Sequence, residues 1–441
     1  MEELNKQLEQ LANHFQHAPH SPKSAAAIEQ GIRLAKRSRH KKHLTWQLSA
    51  VLVSFAILFL SLIKISPTFA AYIDQFPGMH AIVVLIEGDR GLTEAIEHHA
   101  LQELDLSQQK GQTTVTINGM IADKQQIIFF YTIKNSARKI DDSLDSFSLK
   151  NTAGRSLAGS VDFGYTMSLK KSHIIHERIS FTLNHRRLSN PIQLTLKIKQ
   201  GRFSFHIPVN LKQIDASSVH YSVHKTVRLQ GQKLTIQSVD LYPTRAAVHI
   251  SFDPHNTKQI TALNDLQLVD QTGMAVTQEN GISEIEQSRN LHTYFLQSNY
   301  FNRPKSLELL LTRAQYIDKN SQHVLISINQ RRLLKSPADH RLRLQSIKTI
   351  EANGSKLLQL RFAVRLPKSD RQHLYQMFDH SYQYESGTHE MPQSENIELS
   401  ASGNAVYYLL FLPDKPYHAP IQLTLINYPS RLHGAIRLKI K

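Results

Sequence analysis

The feature that most constrains this chain is an uninterrupted run over residues 44–63, LTWQLSAVLVSFAILFLSLI, which contains no charged side chain. The run has the length of roughly 20 apolar residues that a helix needs to cross a membrane. Charges after it are sparse and mixed in sign, whereas a basic cluster precedes it, comprising Arg33, Lys36, Arg37, Arg39, Lys41 and Lys42. Because Lys and Arg are retained on the cytoplasmic side of a span, we expect residues 1–43 in the cytoplasm and the C-terminus outside the cell.

Two other interpretations compete with a permanent anchor. A buried core helix seldom runs this long without a charge and with a basic cluster at one end. A cleaved signal peptide is suggested by the small residues Ala70 and Ala71 after the run. Signal peptides, however, have short leaders and apolar cores of about 7–15 residues, so a retained transmembrane helix over residues 44–65 is favoured.

Composition restricts the chemistry of the part beyond the span. There is no cysteine among the 441 residues, so an exterior part would fold without disulfides, which is more typical of a Gram-positive surface protein than of a secreted animal one. The formal net charge is +16, and residues 1–43 hold eight Lys and Arg against four Asp and Glu, so most of the excess lies beyond the span. A basic exterior would be attracted to anionic cell-wall polymer and to lipid headgroups, although ordinary solubility explains the same charge.

The N-terminal segment has a helical pattern of apolar residues, which suggests that it binds a partner. Leu4, Leu8, Leu11 and Phe15 recur at the spacing that places them on one face of a helix. A segment of this size cannot build its own core, so the stripe would contact a cytoplasmic partner or the membrane surface, or remain a solvated tail.

Beyond the span, the sequence predicts a helical neck followed by strands. Pro and Gly separate three short helical runs, residues 69–75, 79–86 and 92–99, with a turn at Gly88-Asp89-Arg90-Gly91. From Thr113 onward, alternating β-branched and aromatic segments dominate.

The strands repeat about every 110 residues, a distance suited to a sandwich of about seven strands. One motif occurs at residues 114–120, 234–239 and 342–347, and another at 191–196, 306–311 and 420–425. The predicted fold is therefore mainly β: a cytoplasmic helical segment (1–43), a transmembrane helix (44–65), a neck plus first sandwich (66–212), a second sandwich (213–335) and a third (336–441). We expect the sandwiches to be immunoglobulin-like and antiparallel, and residues 341–441 to fold alone.

A resemblance rests on the neck, in Ser66-Pro67-Thr68-Phe69-Ala70-Ala71-Tyr72, Pro77-Gly78-Met79 and Ile86-Glu87-Gly88-Asp89-Arg90-Gly91-Leu92. Over residues 44–133 the chain resembles a family of uncharacterised Firmicutes single-pass membrane proteins, often encoded beside extracytoplasmic-function sigma factors and described as anti-sigma factors. The resemblance implies an extracytoplasmic-function sigma factor as cytoplasmic partner and immunoglobulin-like exterior domains. It carries no catalytic residue, and the chain lacks the zinc-binding His and Cys pattern of many anti-sigma domains.

A search for catalytic or metal-binding motifs returns no candidate, so we expect no catalytic residue, no metal, no cofactor and no enzymatic activity. His173 and His176 come closest to a metal pair, but residues three apart in a strand face opposite sides. The neck acids Glu87, Asp89 and Glu94 are better explained as surface or helix-terminal charges. Basic runs lack interleaved aromatics, so direct nucleic-acid binding is not expected.

Two functions from different classes remain. The first is a regulator in the cell membrane, with inner helices that bind a sigma factor and sandwiches that sense the envelope. The second is a non-catalytic surface protein whose sandwiches bind anionic cell-wall polymer. The stripe of Leu4, Leu8, Leu11 and Phe15 favours the first, because an inert tail has no need of it.

Overall fold

Helices and strands are defined here for part of the chain. The computed structural model describes residues 79–140, 144–164, 172–183, 188–216, 218–273, 275–277, 283–288, 290–352, 354–366, 376–399 and 405–441. The chain divides into two compact units, Met1–Ile73 and Asp74–Lys441, and all described residues belong to the second. The predicted span and the stripe of Leu4, Leu8, Leu11 and Phe15 lie outside the described residues. Within those residues, no helix has the length and apolarity required to span a bilayer.

Two short helices begin the described chain. They are α1 (Met79–Leu85) and α2 (Arg90–Glu97). The predictions of helices at 79–86 and 92–99 are confirmed to within two residues at each end. The helix α2 begins earlier than predicted because Asp89, assigned to a turn, is its N-cap: its Oδ1 accepts a hydrogen bond from the Leu92 amide at 3.1 Å. The run at 69–75 lies outside the described residues.

The first sandwich is formed by two antiparallel sheets around one core. One sheet has the order β1 (Leu101–Lys110), β2 (Thr113–Ala122), β3 (Gln126–Asn135), β6 (Ile174–Leu183) and β5 (Ala158–Gly164). The other has the order β4 (Leu144–Lys150), β7 (Ile192–Ile198) and β8 (Gly201–Ile207). Alternating residues of both sheets are buried together, among them Phe129, Phe181 and Leu194. The helix α3 (Leu211–Ala216) follows and adds Ile214 to this core.

The second and third sandwiches have the same two-sheet construction. In the second sandwich, one sheet has the strand order β15 (Ser283–Ser288), β16 (Leu291–Leu296), β11 (Ala246–Phe252), β10 (Gln232–Leu241) and β9 (Val219–Leu229). The other sheet has the order β12 (Lys258–Ala262), β17 (Leu307–Asp318), β13 (Gln267–Asp270) and β14 (Ala275–Val276), and β27 (Ser430–Lys439) also pairs with β17. In the third sandwich, one sheet has the strand order β19 (Arg332–Lys335), β18 (His323–Ser327), β26 (Ile421–Leu425), β22 (Phe378–Tyr384) and β23 (Gly387–Glu390). The other sheet has the order β20 (Leu342–Ala352), β21 (Ser355–Arg365), β25 (Ala405–Pro413) and β24 (Asn396–Leu399). The prediction of a mainly β, antiparallel and sandwich-like fold with few helices is confirmed, and it is consistent with immunoglobulin-like domains.

The first repeated motif forms the same bulged hairpin in each sandwich. It lies on β2, β10 and β20, each paired with the next strand along the chain. Each pairing shifts register by one residue at the same place in the motif, at Asn118, Gln237 and Gln345. A shared bulge in three hairpins is a strong sign of a true repeat, because a bulge redirects the strand and its twist.

The second repeated motif also pairs with a neighbouring strand in the same register in all three sandwiches. It forms β7, β17 and β26, which lie beside β4, β13 and β22. The equivalent residue pairs are Leu149–Leu194, Leu268–Leu309 and Tyr382–Leu423. The predicted equivalence of residues 191–196 and 420–425 is therefore confirmed.

At the opposite edge of the strands that this motif forms, the second and third sandwiches exchange strands. In the first sandwich, β7 pairs with β8, the next strand along the chain. In the second, β17 pairs with β27 from the end of the chain, and in the third, β26 pairs with β18, which follows β17. Leu432 of β27 is buried in the second core and Val324 of β18 in the third.

The exchange corrects the linear division of the chain. Backbone hydrogen bonds cross the seam predicted at 335/336, because β18 and β19 precede it and yet belong to the sheet of β26. Residues 341–441 alone would lack β18 and β19 and would contain β27 without its partner β17. Independent folding of this segment stays a prediction, but its boundary cuts across two sheets, since sequence repeats reveal strand type and order but not which neighbour supplies the edge strand.

Candidate functional site at the junction of the neck and two sandwiches

The neck motif Gly88-Asp89-Arg90-Gly91 builds a turn that docks on the second sandwich. Gly88 adopts a φ of 83°, which a glycine tolerates readily, and its carbonyl accepts a hydrogen bond from Gln297 Nε2 at 3.1 Å. A Cβ built on Gly91 would lie 2.6 Å from the Ser298 amide nitrogen. Any larger residue at position 91 would therefore force α2 away from the segment after β16.

Side chains of α2 extend this contact. The buried Glu94 accepts hydrogen bonds from Asn302 Nδ2 at 2.9 Å and from Arg90 Nε at 2.6 Å. The ring of His98, which caps the helix C-terminus, stacks on Phe301 with 4.8 Å between centroids. The neck is thus held by backbone fit, a charged hydrogen-bond network and ring stacking.

Two of the three acids that the sequence grouped in the neck have structural partners, and the third, Glu87, is exposed. Asp89 caps α2 and lies 3.8 Å from Arg178 Nη1 on β6, while Glu94 contacts Arg90 and Asn302. Within the described residues, no group of three or more His, Asp or Glu side chains is placed to hold a metal ion. His173 and His176 also diverge, with ring nitrogens 3.0 Å from the Asn135 carbonyl and 2.8 Å from Thr132 Oγ1.

Two equivalent hairpin ends meet beside the neck. Asp123, in the turn between β2 and β3, is fully buried and accepts hydrogen bonds at Oδ2 from the Thr244 amide at 2.9 Å and from Thr244 Oγ1 at 2.6 Å. Thr244 lies in the turn between β10 and β11 of the second sandwich. Burial raises the pKa of Asp123, and the hydrogen bonds from Thr244 and Gln125 oppose that shift.

Arg245 completes the contact between the two sandwiches. Its Nη2 donates to the Gln125 carbonyl at 3.0 Å and to Thr182 Oγ1 at 3.1 Å. Its guanidinium lies 3.6 Å from the ring centroid of Phe295, a cation–π geometry. Burial lowers the pKa of Arg245 to about 10, with the nearby Asp123 charge acting in the opposite direction.

Neck, first sandwich and second sandwich thus surround one small cavity of about 60 Å³. Its lining includes Asp89 and Leu92 from the neck, Arg178 from β6, and Arg245 and Gln297 from the second sandwich. This volume suits a water molecule or two rather than a substrate. The arrangement holds α2 against the first and second sandwiches.

Three side chains on β10, β11 and β16 form a second polar network, in which a hydroxyl contacts an imidazole and the imidazole contacts a carboxylate. Thr293 Oγ1 lies 2.8 Å from His249 Nδ1, and His249 Nε2 lies 2.9 Å from Asp240 Oδ2. Burial alone would raise the pKa of Asp240, but hydrogen bonds from His249 and His220 outweigh it and lower the pKa. Thr293 has 1% of its surface exposed, so no substrate reaches its hydroxyl, and the group is a structural network.

Sequence reasoning identified the neck motif but missed Asp123, Thr244 and Arg245. The signal available was the position of these residues in the turns of two equivalent hairpins. What the sequence did not contain was the fact that these two hairpin ends face each other.

Two family models match separate parts of the chain. Residues 39–135 match a domain of unknown function, DUF4179, and residues 218–334 match a family of unknown function, DUF5643. The first match covers almost the same residues as the neck resemblance, and the second covers most of the second sandwich together with β18. No curated protein matches the chain. A solved structure described as the conserved domain protein from Bacillus anthracis is similar at 12% identity and a TM-score of 0.38, covering 53% of this chain and 84% of that one.

Proposed function

We propose that the protein is a single-pass membrane regulator of transcription, an anti-sigma factor whose exterior sandwiches respond to the cell envelope. The observation that supports this proposal is the docking of α2 at the junction of the first and second sandwiches. The contacts of Gly91, Glu94 and His98 make α2 part of a folded body rather than a free linker. A change in the angle between the two sandwiches would therefore act on the neck, which follows the proposed span in sequence.

The cytoplasmic part of this proposal rests on the N-terminal stripe. Leu4, Leu8, Leu11 and Phe15 would form the apolar face of a helix that lies in a groove of an extracytoplasmic-function sigma factor. Release of that partner would switch on its target promoters.

The test is recovery of sigma factors with the full-length chain, comparing Leu8→Glu with the wild type. Loss of one anchor in a helix-in-groove contact costs about 2 kcal/mol or more, which weakens binding about thirtyfold. Asn13→Glu introduces the same charge on the opposite face of the helix and should retain the partner. If the wild-type chain recovers no sigma factor, the anti-sigma function is refuted.

We also propose a second candidate, a surface protein that binds anionic polymer of the cell wall. It is favoured by the excess of basic residues beyond the proposed span and by basic side chains around a cavity of the third sandwich. Binding of a soluble polyanion to the full-length chain distinguishes it from the first function, which requires no such ligand.

A further inference from the structure

We propose that a cavity of about 660 Å³ in the third sandwich binds a polymer with repeated phosphate groups. The inference rests on the second candidate function and assigns it a site. The cavity lies between the turn that joins β18 to β19, the strand β20 and the turn that follows β25. Basic side chains line it, namely Arg331, Lys348 and Lys415, against one acidic residue, Asp414.

Two of the three basic side chains around this cavity carry a charge that no ion pair compensates within the described residues. Arg331 and Lys348 are exposed, and neither has an ion-pair partner among the residues that the structure describes. Lys415 Nζ lies 5.2 Å and 5.5 Å from the ring centroids of Tyr384 and Tyr417, so the inference rests on Arg331 and Lys348.

A cavity of similar size in the second sandwich provides the contrast. It measures about 640 Å³ and is lined by Lys258 and Lys319. There Lys258 Nζ lies 2.9 Å from Asp318 Oδ1, and Lys319 Nζ donates to the Pro254 carbonyl at 2.7 Å. Both cations thus already have partners within the protein, so basic residues around a cavity are not enough, and the third sandwich differs in leaving Arg331 and Lys348 without an ion pair in the described chain.

The character of the cavity indicates the class of ligand. Buried Ile347 and Leu358 form an apolar floor beneath the basic rim, which suits a ligand with anionic groups on an organic backbone. The guanidinium of Arg331 offers paired N–H donors that match phosphate oxygens, and the two lysines offer point charges. Exposed ion pairs are individually weak, so a single phosphate would dissociate readily, whereas a polymer gains from many linked contacts.

The experiment measures binding of labelled inorganic polyphosphate to the full-length chain in detergent, by fluorescence anisotropy. The test variant is Arg331→Glu/Lys348→Glu. The matched control is Lys134→Glu/Lys197→Glu, which makes the same change of net charge at exposed positions of the first sandwich. We expect the test variant to bind at least about tenfold more weakly and the control to bind within about twofold of the wild type. Circular dichroism of each variant confirms that it is folded.

Each other outcome overturns a defined part of the inference. If the wild type does not bind polyphosphate, the polymer-binding function itself fails. If the wild type binds and both variants weaken equally, binding follows overall charge and the assigned site is wrong. Equal affinity for polyglutamate would overturn the phosphate class, and stronger binding to vesicles of anionic phospholipid than to polyphosphate would overturn the polymer in favour of a lipid.

Discussion

At the scale of single residues, the charged groups at the junction act through their placement rather than through their number. Asp123 and Arg245 are both buried, and each is hydrogen-bonded to groups of the opposite sandwich. A buried charge that loses its partners is costly, while a fully bonded one adds modest net stability. These residues therefore penalise any other docking geometry of the two hairpin ends.

A carboxyl group in the third sandwich predicts a dependence of stability on pH. Glu395 accepts a hydrogen bond from the Met377 amide at 2.9 Å, and burial raises its pKa to about 7. A raised pKa means that the contribution of this group is fully present below about 4.5 and is lost as the pH rises through about 7. The free energy of unfolding should therefore fall by about 1–2 kcal/mol more in the wild type than in Glu395→Gln between about pH 5 and 8. Urea unfolding at each pH measures this free energy, with Glu390→Gln at an exposed position as the control. If the free energy of unfolding of the wild type and of Glu395→Gln changed in parallel with pH, Glu395 would not be the group responsible.

The close approach at Gly91 predicts a local effect of the smallest substitution. Gly91→Ala places a methyl group 2.6 Å from the Ser298 amide nitrogen, so α2 must shift away from the second sandwich. Overpacking of this kind typically costs about 1–3 kcal/mol. Hydrogen exchange should rise in α2 and at residues 297–302, whereas Glu97→Ala on the same helix should leave both unchanged. Unaltered exchange in Gly91→Ala would show that the neck is not held by this contact.

At the scale of helices and strands, the sequence was sufficient to predict the strands and their pairing with the next strand along the chain. The motifs on β2, β10 and β20 have alternating apolar residues, and this pattern predicts both the strand and the buried face. Pairing with the following strand is also local, because a short turn leaves little choice. The partners of β17 and β26 were not predictable in the same way, since β8, β18 and β27 all have strand patterns and any of them fits beside the same motif. Likewise, Asp123 and Thr244 meet across sandwiches, and no spacing along the chain reveals that.

The strand exchange predicts which sandwich is damaged by a change near the C-terminus. Leu432 of β27 is fully buried in the second core, so Leu432→Ala should destabilise the second sandwich by about 2–5 kcal/mol. Hydrogen exchange should rise first in β13 and β17, far earlier in the sequence. Leu423→Ala on β26, buried in the third core, is the matched control and should affect β18 and β22 instead. Loss of protection confined to the third sandwich in Leu432→Ala would refute the exchange.

At the scale of the whole molecule, the described chain is a series of three sandwiches joined in two different ways. The first and second meet through turns, at Asp123 and Thr244, and the neck packs beside that contact. The second and third share strands, and Ile317 near the end of β17 already contributes to the third core. The first joint is made by side-chain contacts and the second by backbone ladders, so a change of docking geometry would break fewer backbone hydrogen bonds at the first joint. The proposed sensing movement therefore belongs to the first joint.

The exchanged strands also determine how the molecule responds to being cut. Two segments of chain, residues 319–322 and 426–429, run between the second and third sandwiches, one in each direction. If a specific protease site is inserted after Asn320 and cleaved, β27 still lies in the ladder of β17, and β18 still lies beside β26. The two fragments should co-migrate on a native gel and separate only in denaturant, whereas domains joined by a single linker would separate at once. A single cleavage in either connecting segment would thus leave the third sandwich attached to the second.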